Sequence, residues 1–277
     1  MTGFGGGFHP VRGWICGFAF VAMLAGCAKD VAPDLSLAAE TAPSTPVALP
    51  PIAEDGTVMR IEDSEALSFK YSWPKEAESE SGIAALLRAA SAVARSEAIG
   101  QAAEDQKTAS ANDAPFNPHS FEKGWKVEGD TPALFSLSAE FYVFTGGAHG
   151  MSGFEALLWD RKAAKRIAFV DLFQRPRNAL EPLTRSYCQA LNAERARKRG
   201  QTVPMGSKDP FDACPPITGQ VIVPAGDPGA PLSRLRVLIG PYEAGPYAEG
   251  SYELSLPVTR PLIQAMKPAY RGAFRAG

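Results

Sequence analysis

"FYVFTGGAHGMSGFEALLWD", Phe141 to Asp160, decides how the chain folds and poses its functional question. Aromatic and β-branched residues alternate up to Thr145, the pattern of a half-buried strand, and a second apolar run begins at Met151. Between them stand two glycines, an alanine, His149 and Gly150, so two strands are joined by a connection of unusual composition. A histidine among glycines approaches a ligand closely, because missing Cβ atoms leave room and free backbone N–H groups. An imidazole also serves as a general base, but that role needs an orienting carboxylate, and Glu155 already lies in the next strand. The bland alternative is that Gly146, Gly147 and Gly150 supply positive φ in a wide turn.

Outward from this segment, "TVMRIEDSEALSFKYSWP" (57–74) shows short alternating β runs and stops at a proline. In 81–106, Ile83, Leu86, Leu87, Ala90 and Ala94 recur at three- and four-residue steps, which predicts a helix lying on a sheet. "SFEKGWKVEGDTPALFSLSAEFYVF" reads as a hairpin with its turn at "EGDTP", where Gly129, Asp130 and Pro132 supply the turn chemistry. Another strand is expected over "RIAFVDLF" (166–173), reached through "DRKAAK" (160–165).

A second helix is expected over 178–199 with Leu180, Leu183, Tyr187 and Leu191 as its buried stripe. Its end, "RARKRG", sets positive charge at the negative pole of the helix dipole before Gly200 stops it. That basic cluster reads as a solvated helix end rather than a partner site. After a proline-rich excursion, 233–266 gives strand, glycine-rich loop, strand and short helix. The expected fold is α+β: a mostly antiparallel sheet with two main helices packed on it and a short C-terminal helix. No period of 20–50 residues repeats.

The late loop "IGPYEAGPYAEG" (239–250) holds Tyr242, Glu243, Tyr247 and Glu249. Tyrosine offers a large rigid surface that ends in a hydroxyl, suited to sugar rings or to a basic protein. Alternatively, Pro241 and Pro246 fix two turns whose tyrosines pack inward. Glu243 and Glu249 invite a paired-carboxylate glycosidase reading, but two glutamates on one loop are a poor signal for it.

"YSWP", "TGGAHG", "FVDLF" and "GPYAEG" follow one another in an order that resembles the extracytoplasmic domain of the RsiV/PdaC type. That type is a pair of adjoining domains of unknown function, found in a lysozyme-sensing anti-sigma factor and in the non-catalytic part of a peptidoglycan deacetylase. The resemblance spans 58–268 and departs from the family at "DRKAAK". It implies a role at the cell envelope and a binding surface with "TGGAHG" on one rim and "GPYAEG" on the other. The candidate rim is therefore Thr145, Gly146, Gly147, His149, Tyr242, Tyr247 and Glu249. His9, His119 and His149 do not supply the His-x-x-x-His set that the deacetylase chemistry requires.

At the other end, Arg12 and the apolar "GWICGFAFVAMLAG" lead into "LAGC", Leu24 to Cys27, which resembles a bacterial lipoprotein signal. Residues 1–26 are then a signal peptide and Cys27 the acylated first residue, held by several chains at about 0.8 kcal/mol per buried CH₂. By resemblance to Gram-negative sorting rules, Ala28 favours the outer membrane. Residues 27–56 are rich in Pro, Ala, Ser and Thr and read as a disordered tether reaching about 30 Å. The α+β domain occupies 57–277, and a division into two lobes, 57–173 and 174–277, stays open.

Of four cysteines, Cys16 leaves with the signal and Cys27 takes the lipid, so Cys188 and Cys214 are expected to pair in an oxidising periplasm. With 28 Lys and Arg against 30 Asp and Glu and no basic face, a nucleic-acid partner has no support. The expected protein is an envelope lipoprotein, anchored to the membrane through its lipid, that binds cell-wall peptidoglycan or a lysozyme-like protein without catalysing a reaction. No catalytic residue, metal ligand or cofactor is assigned. A cell-wall hydrolase using His149 and a carboxylate, or a scaffold in an envelope assembly, stands as the alternative.

Overall fold

Leu67, Phe69, Tyr71 and Trp73 alternate along one strand, and all four are buried while Ser68 and Lys70 between them face solvent. Each such burial contributes about 1.5–3 kcal/mol, so this face fixes where the first core lies. The computed structural model of the chain describes residues 50–277. The expected signal peptide, Cys27 and most of the expected tether lie outside the described residues. Ile52 bridges to Val58, and Ala53 donates its N–H to the Thr57 carbonyl at 2.8 Å, so the segment expected to end the tether folds back onto the first strand.

β1 (Val58–Asp63), β2 (Leu67–Trp73), β3 (His119–Asp130), β4 (Leu134–Phe144), β5 (Met151–Asp160) and β6 (Lys165–Ile167) form a six-stranded sheet in chain order. All neighbours are antiparallel except β2 and β3, which run parallel with Leu67 opposite His119. A parallel pair needs a long crossover. α1 (Lys75–Ser79) and the 31-residue α2 (Ser81–Ala111) supply it.

α2 rests on the sheet through Ile83, Ala84, Leu87 and Ser91. Leu86 and Ala90, expected in its buried stripe, are exposed: the helix meets the sheet along a strip narrower than the apolar pattern. A Cβ at Gly82 would lie 2.4 Å from the Trp159 ring, so the helix start approaches the sheet as closely as glycine permits.

β3 continues through Gly129 and Asp130, with a bulge at Val127/Gly129, and the turn is carried by Thr131, whose hydroxyl bonds both the N–H and the carbonyl of Leu134 at 3.0 Å. Gly129 is thus a strand residue. A Cβ there would sit 2.2 Å from Leu232, where the second sheet comes down. The strand expected over 166–173 stops at Ile167. Asp171 accepts the Ala168 N–H at 2.9 Å and winds Phe169–Leu172 into a 3₁₀ turn.

The second expected helix begins later than its apolar stripe. Pro176 and Pro182 confine 176–183 to short 3₁₀ turns, and α3 spans Thr184–Arg199. Leu180, Leu183, Tyr187 and Leu191 are nevertheless all buried. β7 (Val221–Ala225), β8 (Arg234–Ile239) and β9 (Tyr252–Pro257) make an antiparallel three-stranded sheet, followed by α4 (Arg260–Ala265) and α5 (Pro268–Arg271).

The molecule is an α+β fold. Ala48–Gly277 is one compact unit with two buried clusters. One lies between the large sheet and α2. The other joins Leu134 and Leu158 of the large sheet to the small sheet and α3. Ser136 donates to the Pro224 carbonyl at 2.6 Å, and Arg236 pairs with the buried Glu128, so the polar groups between the two sheets are matched. Cys188 and Cys214 are bonded, tying α3 to the segment that follows it.

Candidate functional site

The β4–β5 connection and the β8–β9 connection meet. His149 and Tyr247 stack with ring centroids 4.0 Å apart, and Tyr242 lies 5.3 Å from Tyr247 and 6.3 Å from His149. The contact is anchored on one backbone atom: the Gly150 carbonyl accepts the Tyr247 hydroxyl at 2.8 Å and His149 Nδ1–H at 2.9 Å. With that proton on Nδ1, Nε2 is left to accept the Tyr242 hydroxyl at 3.4 Å.

The glycines act at separate points. Gly146 has φ +86°, a left-handed backbone that favours glycine, and its carbonyl accepts Asn117 Nδ2 at 3.1 Å. Gly150 makes room for a neighbour, since a Cβ there would fall 2.3 Å from the Tyr142 ring. Thr145 and Gly147 are exposed, with open space around Gly147. Across the contact, Tyr242 takes φ +68°, a strained backbone for a residue with a side chain. The residue remains 51% exposed.

Beneath the rim, the end of α3 holds the β8–β9 connection. Arg195 is fully buried and donates to the Ala244 carbonyl through Nε (2.8 Å) and Nη2 (2.6 Å). It also reaches the carbonyls of Asp212 (2.7 Å) and Ala213 (3.0 Å) beside the disulfide, and Asn192 Oδ1 at 2.9 Å. Arg199 grips both carboxylate oxygens of Glu249, at 2.8 and 3.0 Å, and pairs with Asp212. Lys198 donates to the carbonyls of Glu249 (2.7 Å) and Ser251 (2.6 Å), 4.0 Å over the Tyr252 ring.

The basic "RARKRG" cluster is therefore no solvated helix end. Only Arg197 points outward, against Glu194, while the other three build the base of the loop. Backbone carbonyls further along the chain, and for Arg199 the carboxylates of Asp212 and Glu249, drew these side chains in, and the helix's own sequence carried no sign of them.

Of the expected rim, His149, Tyr242 and Tyr247 come together; Thr145, Gly146 and Gly147 share the β4–β5 connection with His149, but Gly146 bonds Asn117 and Gly147 has open space around it. Glu249 turns inward to Arg199 and Tyr252. Burial works to raise the Glu249 carboxyl, but hydrogen bonds from Arg199 and Tyr252 outweigh it and hold the group below its ordinary value. The Tyr252 hydroxyl is pushed up to about 12 by burial and by that carboxylate.

Glu249 thus serves as a structural counter-ion, unsuited to glycosidic acid–base work beside the exposed Glu243. The partners of His149 are a carbonyl and a phenol, and among the described residues no carboxylate orients it as a base. Among the described residues no group of three or more His, Cys, Asp or Glu side chains is placed to hold a metal ion.

Tyr142 is the rim residue the sequence reading omitted. Strand alternation sends it to the solvent face of β4, and the space left by Gly150 lets its ring lie against that glycine.

Residues 61–152 match the family model described as Deacetylase PdaC. The match runs from β1 into β5 and includes the Thr145–Gly150 connection, leaving the β8–β9 connection outside. No curated protein matches the chain. Two solved structures are similar at 16% identity. One is a member of the DUF3298 family from Bacteroides fragilis, with 78% of this chain and 95% of that one covered and a TM-score of 0.48. The other is a DUF3298 family protein from Pseudomonas aeruginosa, with 83% and 99% covered and a TM-score of 0.46.

Proposed function

Taking as premise that residues 61–152 form a PdaC-type domain, we propose that this chain is a binding module of the cell envelope whose ligand is a cell-wall glycan. The observation that carries the reading is the solvent-facing cluster of His149, Tyr242 and Tyr247, held in place from below by Arg195, Lys198 and Arg199. Flat rings with polar edges suit the faces and hydroxyls of sugar rings. A scaffold would bury these rings, whereas Tyr242 keeps half its surface in water and a strained backbone besides.

The lipid at Cys27 and a periplasmic position at the outer membrane belong to the same proposal. The "LAGC" segment and the Cys188–Cys214 disulfide, a bond favoured in oxidising compartments, support it. The match to the family model described as Deacetylase PdaC supports the reading, and the role proposed here is an accessory one.

The test is retention on purified sacculi and on the N-acetylglucosamine hexamer, comparing the chain with its Tyr242→Ala and Tyr247→Ala variants. Retention lost in both variants supports the reading. Equal retention in all three, or none in the unaltered chain, removes it. Retention on immobilised lysozyme alone would transfer the same rim to a protein partner. Incorporation of labelled palmitate that disappears in Cys27→Ser tests the anchor.

A further inference from the structure

The solvent face of the large sheet carries a groove of about 360 Å³ that adjoins the aromatic rim. Lys70, Glu122 and Tyr142 lie side by side on β2, β3 and β4; Gly124 and Glu140 form the next row; Lys126 follows. Gly124, with no side chain, leaves the floor open between these flanking groups.

The charges around this floor are unspent. Lys70, Glu122 and Glu140 are exposed and make no ion pair or side-chain hydrogen bond among the described residues, and Lys126 reaches only Glu128, at 3.8 Å. Lys70 and Glu122 stand opposite one another in register without pairing. Elsewhere charges on and beside this sheet pair closely: Arg161 with Glu80 at 2.7 Å and Asp130 at 2.6 Å, Lys123 with Glu155 at 2.5 Å.

We propose that this groove binds a short peptide carrying both free carboxylates and an ammonium group. Charge complementarity gives the class, because two lysines and two glutamates flank one floor. Spacing gives the size. Neighbouring strands lie about 4.8 Å apart and successive same-face rows about 7 Å, so Lys126 and Glu140 stand about 8 Å apart and Lys70 and Glu140 about 12 Å, the length of two to four extended residues.

Contact with the rim gives the context, since Tyr142 borders the groove and lies against Gly150, whose carbonyl anchors His149 and Tyr247. A cell-wall glycan bears short charged peptides, so one surface would read sugar at the rim and peptide in the groove. The inference deepens the glycan reading and rests on it for the source of the peptide.

The test is calorimetric titration of the full-length chain with three probes. These are the tripeptide Ala-Glu-Lys with free termini, the end-blocked uncharged Ala-Gln-Ala, and the N-acetylglucosamine hexamer. The free tripeptide is expected to bind, the blocked one at least tenfold more weakly, and added salt to weaken the first. Lys70→Gln with Glu140→Gln, both exposed, is expected to keep its Tm, lose tripeptide affinity at least fivefold and leave the hexamer unaffected. A silent tripeptide, equal binding of the blocked peptide, or an unaffected double variant overturns the groove. Hexamer binding without tripeptide binding removes the groove and spares the glycan reading; tripeptide binding without hexamer binding does the reverse.

Discussion

Tyr247 lies face to face with His149, the rings 4.0 Å apart and tilted by 22°, and donates its hydroxyl to the carbonyl of the residue after the histidine. One side chain thus fastens the loop of the small sheet to the loop of the large sheet. The surface so formed is only as ordered as the backbone that presents each ring, and the following expectations probe that backbone.

Tyr242 sits at φ +68°, where a Cβ costs about 1–2 kcal/mol. Tyr242→Gly is expected to leave stability unchanged or raise it by about 1 kcal/mol in urea titration, while abolishing retention on sacculi. A marked loss of stability would mean that the ring, rather than its presentation to solvent, matters to the fold.

Arg195 is buried with its guanidinium spread over three backbone carbonyls and one side-chain amide. Arg195→Met would leave those acceptors without their donors, a cost of about 3–4 kcal/mol. Arg197→Ala, on the exposed face with only Glu194 as partner, is expected to change stability by less than about 0.5 kcal/mol. Urea midpoints of the two variants check the contrast.

Two glycines of α2 separate packing from propensity. Gly82→Ala drives a methyl into the buried Trp159 ring and is expected to cost about 1–3 kcal/mol. Gly100→Ala meets nothing within 4 Å and is expected to stabilise by about 0.5–1 kcal/mol. Thermal unfolding of both variants should move in opposite directions.

The Glu249 carboxyl has a lower pKa folded than unfolded, once the hydrogen bonds from Arg199 and Tyr252 outweigh the opposing effect of its burial. Its contribution is therefore complete above the unfolded glutamate value, about 4.3, and drains away as pH falls through the lower folded value. Between pH 5 and about 3 the parent protein is expected to lose more stability than Glu249→Gln does. Parallel pH profiles would contradict the assignment.

Much of the fold follows from local pattern. Alternation in β2 and in 141–160 marks the strands, the apolar steps of 81–106 mark α2, and Leu180, Leu183, Tyr187 and Leu191 mark the buried side of 180–191 even though the prolines delay α3. These signals are legible because burial acts on periodicity within one element. The pairing of Cys188 with Cys214 was legible too, by elimination among four cysteines.

Tertiary structure alone decided where the charged and small residues belong. Sequence names Gly129, Gly150 and Glu249, yet their roles are set by Leu232, Tyr142 and Arg199, each brought from a different element. The same holds for the end of α3, whose arginines look solvated until the β8–β9 connection arrives to accept their hydrogen bonds. A hydrophobic residue reports its burial through its neighbours in the chain. A glycine or a charge reports it only through its partner in space, and that partner is chosen when the two sheets pack.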